Sequence, residues 1–101
     1  MIQKNQDTYC LVLFHKNLKE LNKNKYDFVF YVAGVDIHFE DRLGKLKITD
    51  EGVNKRDQMV IENFYSKNIP LCGVLGGGYN KNFDKLIELH SMLHKNCAKI
   101  I

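Results

Sequence analysis

Two unbroken apolar runs limit what this chain can fold into more than any other feature. Residues 28–33 read Phe-Val-Phe-Tyr-Val-Ala, and residues 71–75 read Leu-Cys-Gly-Val-Leu. A strand with one solvent-exposed face alternates apolar and polar residues, so runs without alternation predict strands covered on both faces, as in a parallel sheet. The stretch between them is long enough for a crossover helix. We therefore expect the strands to be parallel, with a right-handed connection.

Three segments with helical spacing accompany these strands. Asp7 or Thr8 is expected to cap the first helix, which ends at residues 22–25. Thr49 is the expected N-cap of the second helix, and the third begins near Asn82. The predicted apolar faces are Cys10, Phe14, Leu18 and Leu21 in the first helix, Val53, Val60, Ile61 and Phe64 in the second, and Phe83, Leu86, Ile87, His90, Leu93 and Cys97 in the third.

The predicted fold class is α/β, with two strands and three helices in the order α-β-α-β-α. Two strands leave two open sheet edges, which three helices on the faces do not cover. A two-stranded sheet is also marginally stable by itself. The pattern therefore resembles a piece of a wider parallel sheet, and residues 1–101 are expected to form a single partial domain.

The composition is that of an ordinary globular protein, with 45% hydrophobic and 27% charged residues and a net charge of +3. Acidic residues are interspersed among the basic ones. The cations of the middle region are therefore interpreted as a solvated surface, and no nucleic-acid partner is expected. These cations are Lys45, Lys47, Lys55 and Arg56.

The cysteines and the hydropathy pattern favour a cytoplasmic protein. Cys10, Cys72 and Cys97 lie in apolar stretches without Cys-x-x-Cys spacing, so buried free thiols in a reducing compartment are expected. No apolar run approaches the roughly 18 residues of a spanning helix. The first residues also lack the apolar segment of a secretory signal, and no membrane partner is expected.

Three short motifs lie at or after the strand ends. They are Val32-Ala33-Gly34-Val35-Asp36, Asp41-Arg42-Leu43-Gly44 and Gly76-Gly77-Gly78-Tyr79. In open parallel sheets, ligands bind in the crevice at the carboxyl ends of the strands. Gly34 is expected to let the backbone turn sharply and aim the Asp36 carboxylate into that crevice. The alternatives are that Asp36 caps its own turn, that the glycines form a flexible turn, and that Tyr79 packs over the third helix.

In order and spacing, these motifs resemble the histone deacetylase and acetylpolyamine amidohydrolase family, over residues 8–93. Arg42 and Lys45-Leu46 are similar to the class IV or bacterial branch. The resemblance implies a partial arginase/deacetylase-like parallel sheet, with this chain as the C-terminal third of the domain. It also implies hydrolysis of an acetyl-lysine or a similar acetylated amine, with zinc as the cofactor of the complete site.

The resemblance assigns roles to five residues. Asp36 matches the last zinc ligand, and Tyr79 matches the catalytic tyrosine whose hydroxyl donates to the amide carbonyl as it becomes an oxyanion. Leu43 corresponds to the rim of the acyl-lysine tunnel, and Gly77 and Gly78 to substrate-binding positions. Asp41 is interpreted separately, as a carboxylate that organises its loop by accepting backbone N–H bonds.

The histidines do not complete this site. The family mechanism needs a His-His pair and an Asp-x-His segment that supplies the other two zinc ligands. No His-His pair occurs, and Asp-x-His spacing is found only at Asp36-Ile37-His38 itself. The family places no ligand at His38, which is interpreted as a loop histidine. His90 and His94, spaced i, i+4, are interpreted as core and surface residues.

Three hypotheses follow, and enzymatic activity is left open. The chain is a fragment of a zinc-dependent deacetylase, inactive and without zinc when alone. Alternatively, it is one half of a two-chain deacetylase, completed by a separately encoded N-terminal portion. The third hypothesis is a non-enzymatic binding or scaffold domain, in which a homodimer covers the open strand edges.

Overall fold

A computed structural model describes the backbone of residues 2–100 and the side chains of residues 6–100. The elements are α1 (Ile2–Leu21), β1 (Val29–Ala33), α2 (Asp50–Tyr65), β2 (Leu71–Leu75) and α3 (Phe83–Ile100). The predicted α-β-α-β-α order is confirmed. None of the helices in the described range is long and apolar enough to cross a membrane.

The two strands form one parallel sheet, as predicted. Val29 pairs with Leu71 at one end of the ladder, and Ala33 pairs with Leu75 at the other. Because parallel strands run in the same direction, both carboxyl ends lie at one edge of the sheet. The segments that follow β1 and β2 therefore leave the sheet side by side, and they carry the sequence motifs.

The expectation that both sheet faces are covered is wrong for this chain. Val29 and Tyr31 pack with residues of α1 and α2, and Ala33 packs with Ile61 and Leu93. The alternate residues point the other way, and Phe30 and Val32 are 70% and 66% exposed. The contacts of α1, α2 and α3 with the sheet thus lie on one face, and none of the helices covers the other face with its described side chains. We call this the outer sheet face and define it as Phe28, Phe30, Val32 and Val74.

Helix α2 is the centre of the core. Its predicted apolar face is confirmed, since Val53, Val60, Ile61 and Phe64 are all buried. Each such side chain contributes roughly 1.5–3 kcal/mol of burial free energy. Thr49 is the N-cap as predicted, because its hydroxyl accepts a hydrogen bond from the Gly52 N–H at 3.1 Å.

The predicted start of α1 is wrong. The helix begins at Ile2, so neither Asp7 nor Thr8 is its cap. The Asp7 carboxylate is buried, accepts a hydrogen bond from the Thr49 N–H at 2.9 Å and bonds the Thr49 hydroxyl. This contact crosses 42 positions of the chain, which explains why a local capping rule assigned Asp7 to the wrong helix.

The predicted buried stripe of α3 is wrong in part. Leu93 is buried, together with Leu89 and Asn96, whereas Phe83 is 71% exposed. Ile87 is exposed as well. Helix α3 is oriented by α2, because the Asn96 side chain donates a hydrogen bond to Asn54 Oδ1 at 2.9 Å.

The predicted free thiols Cys10, Cys72 and Cys97 are unpaired and half-buried rather than fully buried.

Candidate functional site

The segments after β1 and β2 meet at the carboxyl edge of the sheet. The Val35 N–H donates to the Gly77 carbonyl at 2.7 Å. A Cβ added to Gly77 would lie 3.0 Å from Asp36 Oδ2 and 3.4 Å from Tyr79 Cε2. The carboxylate and the tyrosine ring therefore flank the same point of the glycine run, and a side chain at position 77 would occupy the space between them.

Gly34 makes room for close packing at the strand end. None of the glycines within the described range has a positive φ, so Gly34 does not use the backbone conformation that favours glycine. A Cβ on Gly34 would instead lie 3.1 Å from Asp36 Oδ1 and 3.2 Å from Gly77 N. The missing side chain lets the carboxylate fold back over the strand end, beside the glycine run.

Asp41 holds the two loops together. Its Oδ1 accepts the Tyr79 N–H at 2.6 Å, and its Oδ2 accepts the N–H groups of Gly44 (2.8 Å) and Leu43 (3.0 Å). Burial alone would raise the pKa of Asp41, but these backbone donors outweigh it and lower that pKa below its usual value. The interpretation of Asp41 as a loop-organising carboxylate agrees with this geometry.

We expect Asp41 to make the stability of the chain depend on acidic pH. Because its folded pKa is depressed, its contribution is present above the unfolded value of 3.8 and is lost as the pH falls through the folded value. The contribution of Asp41 is measured by urea unfolding of the wild type and of Asp41→Asn, between neutral pH and pH about 2.5. The difference in unfolding free energy should shrink as the pH falls, and a constant difference would contradict the assignment.

The other predicted site residues divide between the crevice and the core. Leu43 and Tyr79 are exposed, so both side chains are accessible to a ligand. Gly78 lies against the core, because a Cβ there would be 2.7 Å from Val35 Cγ2 and 2.9 Å from Leu86 Cδ1. The roles assigned to these residues by resemblance remain predictions.

His38 is a structural histidine, although it lies two residues after Asp36. It is 1% exposed, its Nδ1 accepts the Glu40 N–H at 3.3 Å, and its Nε2 lies 2.5 Å from Asp50 Oδ1. Asp50 also binds Lys85 Nζ at 2.7 Å. Both ring nitrogens are engaged within the protein. The Asp-x-His spacing of Asp36-Ile37-His38 therefore does not provide a second ligand beside Asp36.

The histidines of α3 do not form a metal pair. His90 is half-buried beneath Gly78, and burial together with the Arg56 charge lowers its pKa, so its ring is neutral at neutral pH. His94 is exposed. Among the side chains of residues 6–100, no group of three histidines, cysteines or carboxylates could hold a metal ion. Asp36 is therefore not part of a three-ligand group within this range.

Sequence reasoning missed a buried charged network beneath the crevice. Arg56, interpreted as part of a solvated surface, is 7% exposed, and Asp57 is 1% exposed. Arg56 Nη1 donates to the Gly34 carbonyl at 2.6 Å, and its Nη2 pairs with Asp57 Oδ1 at 2.9 Å. The available signal was spacing, because Arg56 lies three residues after Val53 and four before Val60 on the apolar face of α2.

Comparison with known proteins places this geometry in a family. The Histone deacetylase domain model matches residues 1–93. An uncharacterized protein of Picosynechococcus sp. is 43% identical over 89 residues, which cover 88% of this chain and 30% of that protein. Histone deacetylase 2 of Arabidopsis thaliana is 43% identical over 61 residues, which cover 60% of this chain and 16% of that protein. This chain therefore spans less than a third of each relative, and it belongs to the histone deacetylase family.

Proposed function

We propose that this chain carries part of the active site of a zinc-dependent deacetylase and does not hydrolyse acetylated amines by itself. The observation that carries the proposal is the position of Asp36 and Tyr79, which flank Gly77 at the carboxyl edge of the sheet. The substrate class is an acetyl-lysine or a similar acetylated amine. Asp36 would serve as a zinc ligand, and Tyr79 would donate a hydrogen bond to the carbonyl oxygen of the substrate.

The residues of this chain do not fit a catalytic zinc ion on their own. Such sites use three protein ligands and an open position, whereas Asp36 is not part of any group of three candidate ligands among the described side chains. What the chain does offer is a hard oxygen donor and an exposed phenol. The Tyr79 hydroxyl can stabilise negative charge that develops on a carbonyl oxygen at the crevice.

The remaining groups would come from the rest of a deacetylase domain, either on the same polypeptide or on a second one. That portion would carry a His-His pair and a separate Asp-x-His segment. Support comes from the outer sheet face, where Phe28 and Phe30 pack against each other with ring centroids 5.0 Å apart and both remain exposed. Contiguous exposed apolar surface of this kind marks an interaction site. The chain spans 30% and 16% of the two relatives, which is consistent with a further portion of the domain that supplies these groups.

A homodimeric scaffold is the competing function for the same surface. The outer sheet face and the free edges of the two-stranded sheet could pack against a second copy of the chain. Such a dimer would not supply a His-His pair, because the sequence contains none. Zinc binding and oligomeric state therefore separate the two functions.

The test is zinc binding by calorimetry, on the chain alone and mixed with the product of any adjacent reading frame that carries His-His and Asp-x-His. Tight binding in the mixture, lost in Asp36→Ala and kept in Asp84→Ala, is expected. Asp84 is an exposed aspartate of α3 and serves as the matched control. Tight binding by the chain alone would contradict the proposal. A stable homodimer with no zinc binding in either sample would favour the scaffold.

The same mixture tests Tyr79. Hydrolysis of an acetyl-lysine peptide should fall about 10²–10³-fold in Tyr79→Phe, the usual loss for an oxyanion donor, with zinc affinity unchanged. Tyr65→Phe, on another exposed tyrosine at the end of α2, is the control and should retain full activity. Equal activity of the two variants would exclude the assigned role of Tyr79.

A further inference from the structure

The peptide group between Gly34 and Val35 is held at both ends. Its carbonyl oxygen accepts the Arg56 Nη1 hydrogen bond at 2.6 Å, and its N–H donates to the Gly77 carbonyl at 2.7 Å. Two opposed hydrogen bonds on one planar group fix its orientation. Asp36 follows Val35 directly in the chain. The direction in which its carboxylate leaves the sheet therefore depends on the orientation of the Gly34–Val35 peptide plane.

The guanidinium of Arg56 is itself held in place by two neighbours. Its Nε and Nη2 donate to Asp57 Oδ1 at 3.2 and 2.9 Å, and the Tyr31 hydroxyl donates to the same oxygen at 2.5 Å. The guanidinium carbon also lies 5.7 Å from the centroid of the Tyr31 ring. Burial raises the pKa of Tyr31, so its hydroxyl stays protonated and remains a donor.

We propose that Arg56 is a positioning residue for Asp36, which it places by holding the Gly34 carbonyl while Asp57 and Tyr31 fix its own guanidinium. The inference rests on the proposed function, since a fixed carboxylate direction has a use only where Asp36 binds a metal. Arginine suits this position because its planar fork can bind a carboxylate and a carbonyl at the same time. Lysine would keep the charge but bind as a single point.

The test measures the peptide group directly in the full chain by native-state hydrogen exchange and carbonyl ¹³C NMR. In Arg56→Lys, the Gly34 carbonyl loses the hydrogen bond from Arg56 Nη1. The exchange rate of the Val35 amide, divided by that of the slowest amides of α2, should then rise at least about tenfold, the factor for losing a hydrogen bond from a charged donor. The Gly34 carbonyl resonance should shift to the value of an unbonded carbonyl. In Leu18→Ala, where the lost side chain packs with Val60 and Phe64, Val35 exchange should change only in proportion to global stability.

Tyr31→Phe is the variant to test if Arg56→Lys does not fold. It keeps the ion pair and removes one hydrogen bond to Asp57, so the relative exchange rate of Val35 should rise about threefold. An unchanged relative rate and an unchanged Gly34 resonance would overturn the positioning role. Neither readout involves zinc or hydrolysis. A negative result in these two measurements therefore does not contradict the proposed function. Conversely, if Asp36→Ala does not affect zinc binding, the hydrogen bond between Arg56 and Gly34 is not called into question.

Discussion

Replacing Asp57 by alanine is expected to lower the free energy of unfolding by about 3–5 kcal/mol, the cost of leaving a buried charge without its partner. Asp57 is 1% exposed and accepts hydrogen bonds from Arg56 and Tyr31 on a single carboxylate oxygen. Its removal leaves the Arg56 guanidinium with two neutral neighbours, the Gly34 carbonyl and the Tyr31 ring. Two neutral groups cannot offset the desolvation of a cation in this position.

Urea unfolding followed by circular dichroism measures this loss. Glu62→Ala, on an exposed carboxylate of the same helix, is the matched control and should change the unfolding free energy by no more than about 0.5 kcal/mol. A loss in Asp57→Ala as small as that of the control would show that water reaches Arg56. Asp57→Asn should lie between the two, because the amide keeps an acceptor but not the charge.

Gly44→Ala is the second substitution with a large expected effect. A Cβ at this position would lie 1.7 Å from the carbonyl oxygen of Asp36, and real Cβ contacts are not closer than 3.0 Å, so the backbone at one of the two positions must move. The obstacle is backbone rather than a flexible side chain. We expect a loss of about 1–3 kcal/mol in unfolding free energy, the usual cost of overpacking, together with displacement of the Asp36 segment.

Amide chemical shifts of residues 34–44 and urea unfolding measure both consequences. Gly73→Ala is the control of the same chemistry, because its Cβ would meet the ends of the Leu93 side chain at 3.0 Å, which can rotate away. The shifts of the Asp36 segment should change in Gly44→Ala and stay in place in Gly73→Ala. If both variants leave these shifts unchanged, the close contact between Gly44 and Asp36 is wrong.

Local patterns were sufficient for the order of the elements and for the position of the motifs. The runs at 28–33 and 71–75 predicted the strands because β-branched and aromatic residues without helical spacing favour extended backbone. Thr49 predicted the start of α2 because a cap is a local hydrogen bond. Asp36, Gly77 and Tyr79 were expected to lie together because parallel strands share a carboxyl edge.

Long-range contacts accounted for what sequence patterns could not assign. Arg56 was interpreted as exposed, since a charge on an apolar helix face is buried only where partners such as Asp57 and the Gly34 carbonyl meet it. The buried face of α3 depended on its packing against α2. His38 was near the predicted crevice in sequence, but Asp50 engages its Nε2 and the Glu40 N–H donates to its Nδ1, so both nitrogens have structural partners.

The sequence by itself determined the α-β-α-β-α order, the parallel pairing and the family, because each depends on residue types at short spacing. The tertiary structure alone decided which sheet face is open, which end of the Gly34–Val35 peptide is held by Arg56, and why position 44 has no room for a side chain. These features join residues more than seven positions apart, and such distances are set by packing rather than by local propensity.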